Sequence, residues 1–130
     1  MAGPSAAGLF IYAKDLKQLS AFYQALLGLG EIHAREDIAV LEVPGLQLVI
    51  HAIPRHIADS FEISSPPERR EEAALKFFFT VPSLDAAAVV AAAHGGEVLG
   101  ERWEGRGFRA CNAVDPEGNI FQLREARQER

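Results

Sequence analysis

The chain has 130 residues, of which 48% are hydrophobic, and 13 basic and 18 acidic side chains give it a net charge of −5 at pH 7. This size and apolar content suit one domain with one core and exclude a disordered chain, a membrane-spanning helix and a basic nucleic-acid-binding surface. The single cysteine, Cys111, excludes an intrachain disulfide, and residues 1–8 lack a signal-peptide pattern, so we expect a cytoplasmic protein.

The first half of the chain predicts a strand, a helix and three further strands, over about residues 8–53. An apolar run at 8–13 indicates a buried strand, and Asp15 then caps a segment with apolar side chains at helical spacing. Gly28 and Gly30 end this helix, because a residue with positive φ is most easily a glycine. Strands are expected at about 31–35, 38–43 and 46–53, with a Pro44-Gly45 turn before the last.

Residues 54–74 are predicted to connect two halves of the chain. They contain three prolines and the charged run 68–72, without a sustained apolar period. Two interpretations are open for this connector, a solvated linker and a lid over a ligand.

The second half, about residues 75–126, predicts the same order of elements again. A buried strand at 75–81 precedes a helix at 84–94 that Ser83 caps, and strands follow near 97–100, 108–114 and 119–125. A longer loop is expected around 102–107, and the turn 115–118 precedes the last strand. The chain is therefore interpreted as one α+β domain, 1–130, made of two βαβββ modules.

Five short segments are typical of a known superfamily in their order and spacing. They are Lys14-Asp15-Leu16, Phe22-Tyr23, Leu27-Gly28-Leu29, Gly95-Gly96-Glu97-Val98 and residues 115–123, DPEGNIFQL. Together they resemble the vicinal oxygen chelate superfamily, which includes glyoxalase I, extradiol dioxygenases, fosfomycin-resistance enzymes and bleomycin-resistance proteins. The resemblance covers nearly the whole chain and implies a cupped, incomplete mixed β-barrel with flanking helices. It also implies a homodimer that closes the open edges.

The resemblance implies where a metal would be bound. In the enzymes of the superfamily, one side chain from each of four equivalent strands holds a divalent ion in the cup. These positions correspond here to Gly8, Val49, Lys76 and Gln122. Only glutamine can ligate, since glycine and valine offer no donor atom and a protonated lysine repels a cation. A shift of two residues would add His51, which still leaves two ligands of four, so we expect no metal and no other cofactor.

Strand alternation predicts which side chains face the cup. If Lys76 and Gln122 point inward, a set of residues with the same parity does so too: Phe10, Tyr12, Val49, His51, Phe78, Ile120 and Arg124. The alternate residues then pack against the helices: Leu9, Ile11, Phe77, Phe79, Phe121 and Leu123. Arg109 and Cys111 are also predicted to point into the cup. Aromatic walls with a few polar and cationic groups are typical of a small-molecule site.

Three functions are compatible with these residues. The leading hypothesis is a metal-free small-molecule-binding protein of the bleomycin-resistance type, with an aromatic or anionic ligand. Its predicted ligand-binding residues are Phe10, Tyr12, Val49, His51, Lys76, Phe78, Arg109, Gln122 and Arg124. The alternatives are a glyoxalase-like metal-dependent lyase or dioxygenase-type enzyme that uses Gln122 and His51, and an accessory domain with a plugged cup that contacts another protein. No catalytic residue is assigned, and the ligand is not identified.

Overall fold

The secondary-structure elements of the computed structural model, which describes residues 4–127, repeat the order β-α-β-β-β around one short helix. Their bounds are β1 (Gly8–Ala13), α1 (Leu16–Leu27), β2 (His33–Arg35), β3 (Ile38–Val43), β4 (Leu46–Ala52), α2 (Arg55–Ala58), β5 (Phe78–Thr80), α3 (Leu84–Ala93), β6 (Glu97–Gly105), β7 (Phe108–Val114) and β8 (Ile120–Ala126). No helix among residues 4–127 has the length and hydropathy to cross a membrane.

The strands form two four-stranded mixed sheets with equivalent topologies. The first has the order β1-β4-β3-β2 and the second β5-β8-β7-β6. In each sheet the first strand is parallel to the last strand of its module, and the other pairs are antiparallel. Within residues 4–127 the strands do not close into a barrel. The repeated order of elements and the equivalent sheets confirm the predicted α+β class and the two βαβββ modules.

The predicted long loop at 102–107 is wrong. β6 continues to Gly105 and pairs with β7 as far as Phe108, so the connection shrinks to a tight turn at Arg106 and Gly107. Gly107 has φ 79°, which glycine adopts without strain. The register of β6 against β7 shifts by two residues between Val98 and Arg102, which interrupts the regular pairing inside β6 but keeps its alternation between the two faces.

The helices cover one face of both sheets and share one core. Tyr23 of α1 has its ring centroid 5.5 Å from that of Phe121 and 6.2 Å from that of Phe79, both in the second module. The predicted helix-facing set is confirmed: Ile11, Phe79, Phe121 and Leu123 are buried, and Leu9 and Phe77 pack against the core. Because α1 packs against strands of the second module, the two modules are not separate folding cores.

The turn before β8 joins the second module to the start of α1. Its Asp115 carboxylate is buried and accepts hydrogen bonds from the Tyr23 hydroxyl at 2.8 Å and from the backbone N–H groups of Glu117 and Asn119. The Glu117 carboxylate accepts the backbone N–H groups of Lys14 and Asp15, both at 2.8 Å. Burial raises the pKa of Asp115, against hydrogen bonds that lower it.

The connector is attached to both modules. The ammonium of Lys14 donates to the carbonyl oxygens of Ala58 and Phe61 and lies 4.9 Å from the centre of the Phe61 ring. At the other end, the backbone N–H of Arg70 donates to the Gly118 oxygen at 2.9 Å. The connector therefore packs along the protein as a tethered segment and includes the short helix α2.

Candidate functional site

The cup face is defined here as the face of each sheet turned away from α1 and α3. The parallel registers place Phe10 beside Val49 and Tyr12 beside His51 in the first sheet, and Phe78 beside Gln122 in the second. Register partners on neighbouring strands share a face, and the alternate residues of these strands pack in the core under the helices. These residues therefore lie on the cup face. Phe10, Tyr12 and Phe78 are 57%, 60% and 51% exposed, which leaves their rings open to a ligand, whereas Val49 is buried.

The cup face of the first sheet is an aromatic patch. The ring centroids of Phe10 and Tyr12 are 6.3 Å apart, and those of Tyr12 and His51 are 5.8 Å apart. Nδ1 of His51 lies 2.8 Å from the carbonyl oxygen of Ala52, so Nδ1 carries the proton and donates it. The other nitrogen, Nε2, is 3.9 Å from a carboxylate oxygen of Asp37, which is too far for a hydrogen bond.

The cup face of the second sheet is organised around a cation. The guanidinium carbon of Arg124 lies 3.7 Å from the centre of the Phe78 ring and 4.1 Å from that of Phe108. Its Nε donates to Oε1 of Gln122 at 2.6 Å. Stacking between two rings together with this hydrogen bond fixes the plane of the guanidinium, so the side chain is held in place before any ligand arrives.

Lys76 and Trp103 meet over the same face. Lys76 precedes β5 and Trp103 belongs to β6, so the two start from opposite edges of the sheet, yet the ammonium is 5.9 Å from the indole centre. Trp103 pairs with Ala110, which pairs with Arg124, and this register places the indole on the cup face. Lys76 and Gln122 therefore reach the same side of the sheet.

Arg109 and Cys111 do not point into the cup, so this part of the prediction is wrong. Arg109 pairs with Glu125 in the ladder and Cys111 pairs with Leu123, which is in the core. The β7–β8 connection spans five residues, and this length places odd-numbered residues of β7 beside odd-numbered residues of β8, on the helix face. Cys111 is fully buried, and burial raises the pKa of its thiol, which is the opposite of what a nucleophile needs.

The same register places residues on the cup face that sequence reasoning missed. Phe108 holds one side of Arg124, and Asn112 pairs with Gln122. Oδ1 of Asn112 is buried and has no hydrogen-bond partner among residues 4–127. The predicted strand limits, 108–114 and 119–125, leave a four-residue connection that would pair Cys111 with Gln122. The observed connection has five residues and pairs Asn112 with Gln122, so an error of one residue in the start of β8 hid both residues.

The residues at the four superfamily metal positions do not fit a divalent ion. Gly8 has no side chain, Val49 is buried and aliphatic, and the Lys76 ammonium is a cation. The one possible donor, Oε1 of Gln122, already accepts the hydrogen bond from Arg124. Within the part of the chain that the structure describes, no three His, Cys, Asp or Glu side chains are grouped to hold a metal.

An open depression lies between the end of β1 and the connector, beside the aromatic patch of the first sheet. It has a volume of about 1310 Å³ and is bordered by Tyr12, Phe61 and several acidic side chains of the connector. Tyr12 thus borders both this depression and the aromatic patch, whereas His51, Lys76, Phe78 and Gln122 do not line the depression.

Solved structures with the same fold cover almost the whole chain. A glyoxalase/bleomycin resistance protein/dioxygenase family enzyme from Burkholderia phytofirmans is 22% identical, with a TM-score of 0.67 over 92% of this chain and 97% of that one. A glyoxalase/bleomycin resistance protein from Albidiferax ferrireducens is 21% identical, with a TM-score of 0.65 over 93% and 98%. The genomically encoded fosfomycin resistance protein of Listeria monocytogenes is 23% identical, with a TM-score of 0.61 over 100% and 95%.

No curated protein matches the chain. A family model does match it, and this match agrees with the comparison of folds. The model of the glyoxalase-like domain matches residues 8–124, which include both modules and the connector. The resemblance to the vicinal oxygen chelate superfamily is thereby confirmed, and the chain belongs to the glyoxalase-like domain family.

Proposed function

We propose that the protein binds a small molecule with an aromatic or anionic part on its cup face, without a metal, in the manner of a bleomycin-resistance protein. The observation that carries this proposal is the exposure of aromatic rings on the cup faces of both sheets, together with a fixed cation on the second. Phe10, Tyr12 and Phe78 are each more than half exposed, and Arg124 is stacked on Phe78. Large apolar side chains grouped on one open face are typical of a binding surface.

The donor set is the reason for proposing binding without metal chemistry. A metal-dependent enzyme of this superfamily needs several oxygen or nitrogen ligands, and the corresponding positions hold glycine, buried valine and lysine. Sequestration of a ligand needs only affinity. The names of the structural neighbours, which include bleomycin resistance and fosfomycin resistance, supply the first compounds to test.

The proposal also includes a homodimer in the cytoplasm. Each sheet has two outer strands, β1 and β2 in the first and β5 and β6 in the second, and each of the four is unpaired on one side within residues 4–127. Unpaired edges and exposed rings favour pairing with a second chain. Light scattering at micromolar concentration should give about twice the monomer mass of 14.2 kDa, and the monomer mass would contradict this part of the proposal.

The test is a thermal unfolding screen combined with elemental analysis. We expect no stoichiometric transition metal in the purified protein and no rise in the unfolding midpoint with nickel, zinc or manganese. A ligand that binds the native state raises the midpoint by mass action, so we expect a rise with at least one aromatic acid or aromatic antibiotic.

Phe78→Ala should abolish the rise, and Val89→Ala should preserve it. Val89 is a matched control because it is also an exposed apolar residue, but it lies on α3, away from the cup face. A stoichiometric metal, or equal effects of the two variants on ligand binding, would contradict the proposal.

A further inference from the structure

We infer that Arg124 is the anion receptor of the cup and that the ligand is a flat carboxylic acid, bound through the outer edge of the guanidinium. This inference rests on the proposed function and gives it a chemical class. It assigns this role to Arg124 and not to Lys76, the other predicted ligand-binding cation of this face, because the position of the Arg124 guanidinium is already fixed.

The contacts of Arg124 leave one part of the guanidinium for a ligand. The rings of Phe78 and Phe108 cover its two faces at 3.7 Å and 4.1 Å, and Nε is bonded to Gln122. The edge that carries Nη1 and Nη2 forms no hydrogen bond or ion pair with residues 4–127. These two nitrogens present parallel N–H donors, which match the two oxygens of a carboxylate in one plane.

The other arginines on strands of the second sheet already have carboxylate partners. On the helix face of the second sheet, Arg109 pairs with Glu125 at 3.4 Å, and Arg102 pairs with Asp85 at 2.7 Å. Arg124 belongs to the same sheet and has no such partner in the described chain. A cation that is covered on both faces and has no counterion gains more from an anionic ligand than one that is already paired.

The surroundings of Arg124 favour a flat ligand. Phe78 is 51% exposed and Trp103 is 36% exposed, so both offer ring surface on the cup face near the guanidinium. The plane of the guanidinium is set by the two rings, and a carboxylate conjugated to a flat group would lie in this plane without twisting. The ammonium of Lys76, above Trp103, adds positive potential to the same face.

The experiment compares an acid with its neutral isostere. Trp103 is the single tryptophan, so its indole N–H signal in the NMR spectrum of ¹⁵N-labelled protein reports on this face alone. The probes are cinnamate and cinnamamide, which share shape and differ in charge. We expect cinnamate to shift the indole signal and to bind at least about tenfold more tightly than the amide, the scale of a charged hydrogen-bond pair.

Three variants test whether Arg124 causes the preference for the acid over the amide. Arg124→Met should remove the preference for the acid, and Arg124→Lys should restore only part of it, because an ammonium lacks the planar pair of donors. Arg109→Met is the matched control and should keep the preference, because Arg109 lies on the opposite face. Thermal unfolding of each variant shows whether it is folded.

Three results would overturn the inference. They are equal binding of acid and amide by the unchanged protein, loss of the preference in Arg109→Met to the same degree as in Arg124→Met, and full restoration by Arg124→Lys. If another compound of the thermal screen binds while cinnamate does not, the inference fails and the proposed function stands. If no aromatic compound of the screen binds, both fail.

Discussion

The two faces of the sheets differ in how similar the equivalent residues of the two modules are. On the helix face the equivalent residues of the two modules, such as Leu48 and Phe121, are both buried and apolar. On the cup face the equivalent residues differ, with Val49 and His51 in β4 and Gln122 and Arg124 in β8. Burial restricts the helix face to apolar side chains, whereas the exposed cup face can hold aromatic, polar or charged side chains. A repeated backbone can thus carry an aromatic patch in one module and a cation in the other.

The same substitution on opposite faces tests this comparison most strongly. Phe121→Ala should cost about 4 kcal/mol in the free energy of unfolding, because the ring is fully buried between the helices and both modules. Phe10→Ala should cost less than about 1 kcal/mol, because its ring is 57% exposed. Urea denaturation of both variants measures the difference. Similar costs would show that the cup face is packed in solution.

A smaller difference is expected between the starts of the two helices. Glu117 of the second module accepts two backbone N–H groups just before α1, whereas Glu125 accepts one, that of Leu84 in α3. Glu117→Ala should therefore cost about 2 kcal/mol and Glu125→Ala about 1 kcal/mol, since each lost partner leaves a donor unpaired. The same denaturation measurements apply. A larger cost for Glu125→Ala would mean that the contact between modules contributes little.

The smallest effect is a dependence on pH that comes from Asp115. Burial raises the pKa of this carboxyl in the folded protein, so the folded state holds the proton more tightly than the unfolded state. Its stabilising contribution is present below the ordinary pKa of aspartate and is lost as the pH rises through the raised value. Relative to Asp115→Asn, the unchanged protein should lose stability over this acidic range. A relative gain of stability would show that the hydrogen bonds from Tyr23 and Asn119 outweigh burial.

The helix face could be predicted from the sequence because burial leaves a clear pattern. The apolar side chains of β8 alternate, and those of α1 recur at helical spacing, so the caps, the modules and the core residues follow from local rules. The inward parity of Phe10, Tyr12, Phe78, Gln122 and Arg124 follows from the same alternation.

What could not be predicted depends on pairing between strands. The direction of Arg109 depends on the register of β7 against β8, and the position of Trp103 on a strand depends on a bulge in β6. Neither leaves a periodic signal in its own segment. The stacking of Arg124 between Phe78 and Phe108 needs both registers and the side-chain conformations, so it is visible only in three dimensions.

The shared core has a consequence for how the chain can be divided. A cut in the connector between Phe61 and Arg70 would separate the modules covalently and leave the contacts of Tyr23 with Phe79 and Phe121 intact. Each fragment alone would expose one side of that core, so we expect the two fragments to associate and bury it again. The protein is therefore a natural candidate for a split reporter, in which two separately expressed pieces regain a cup only after they associate.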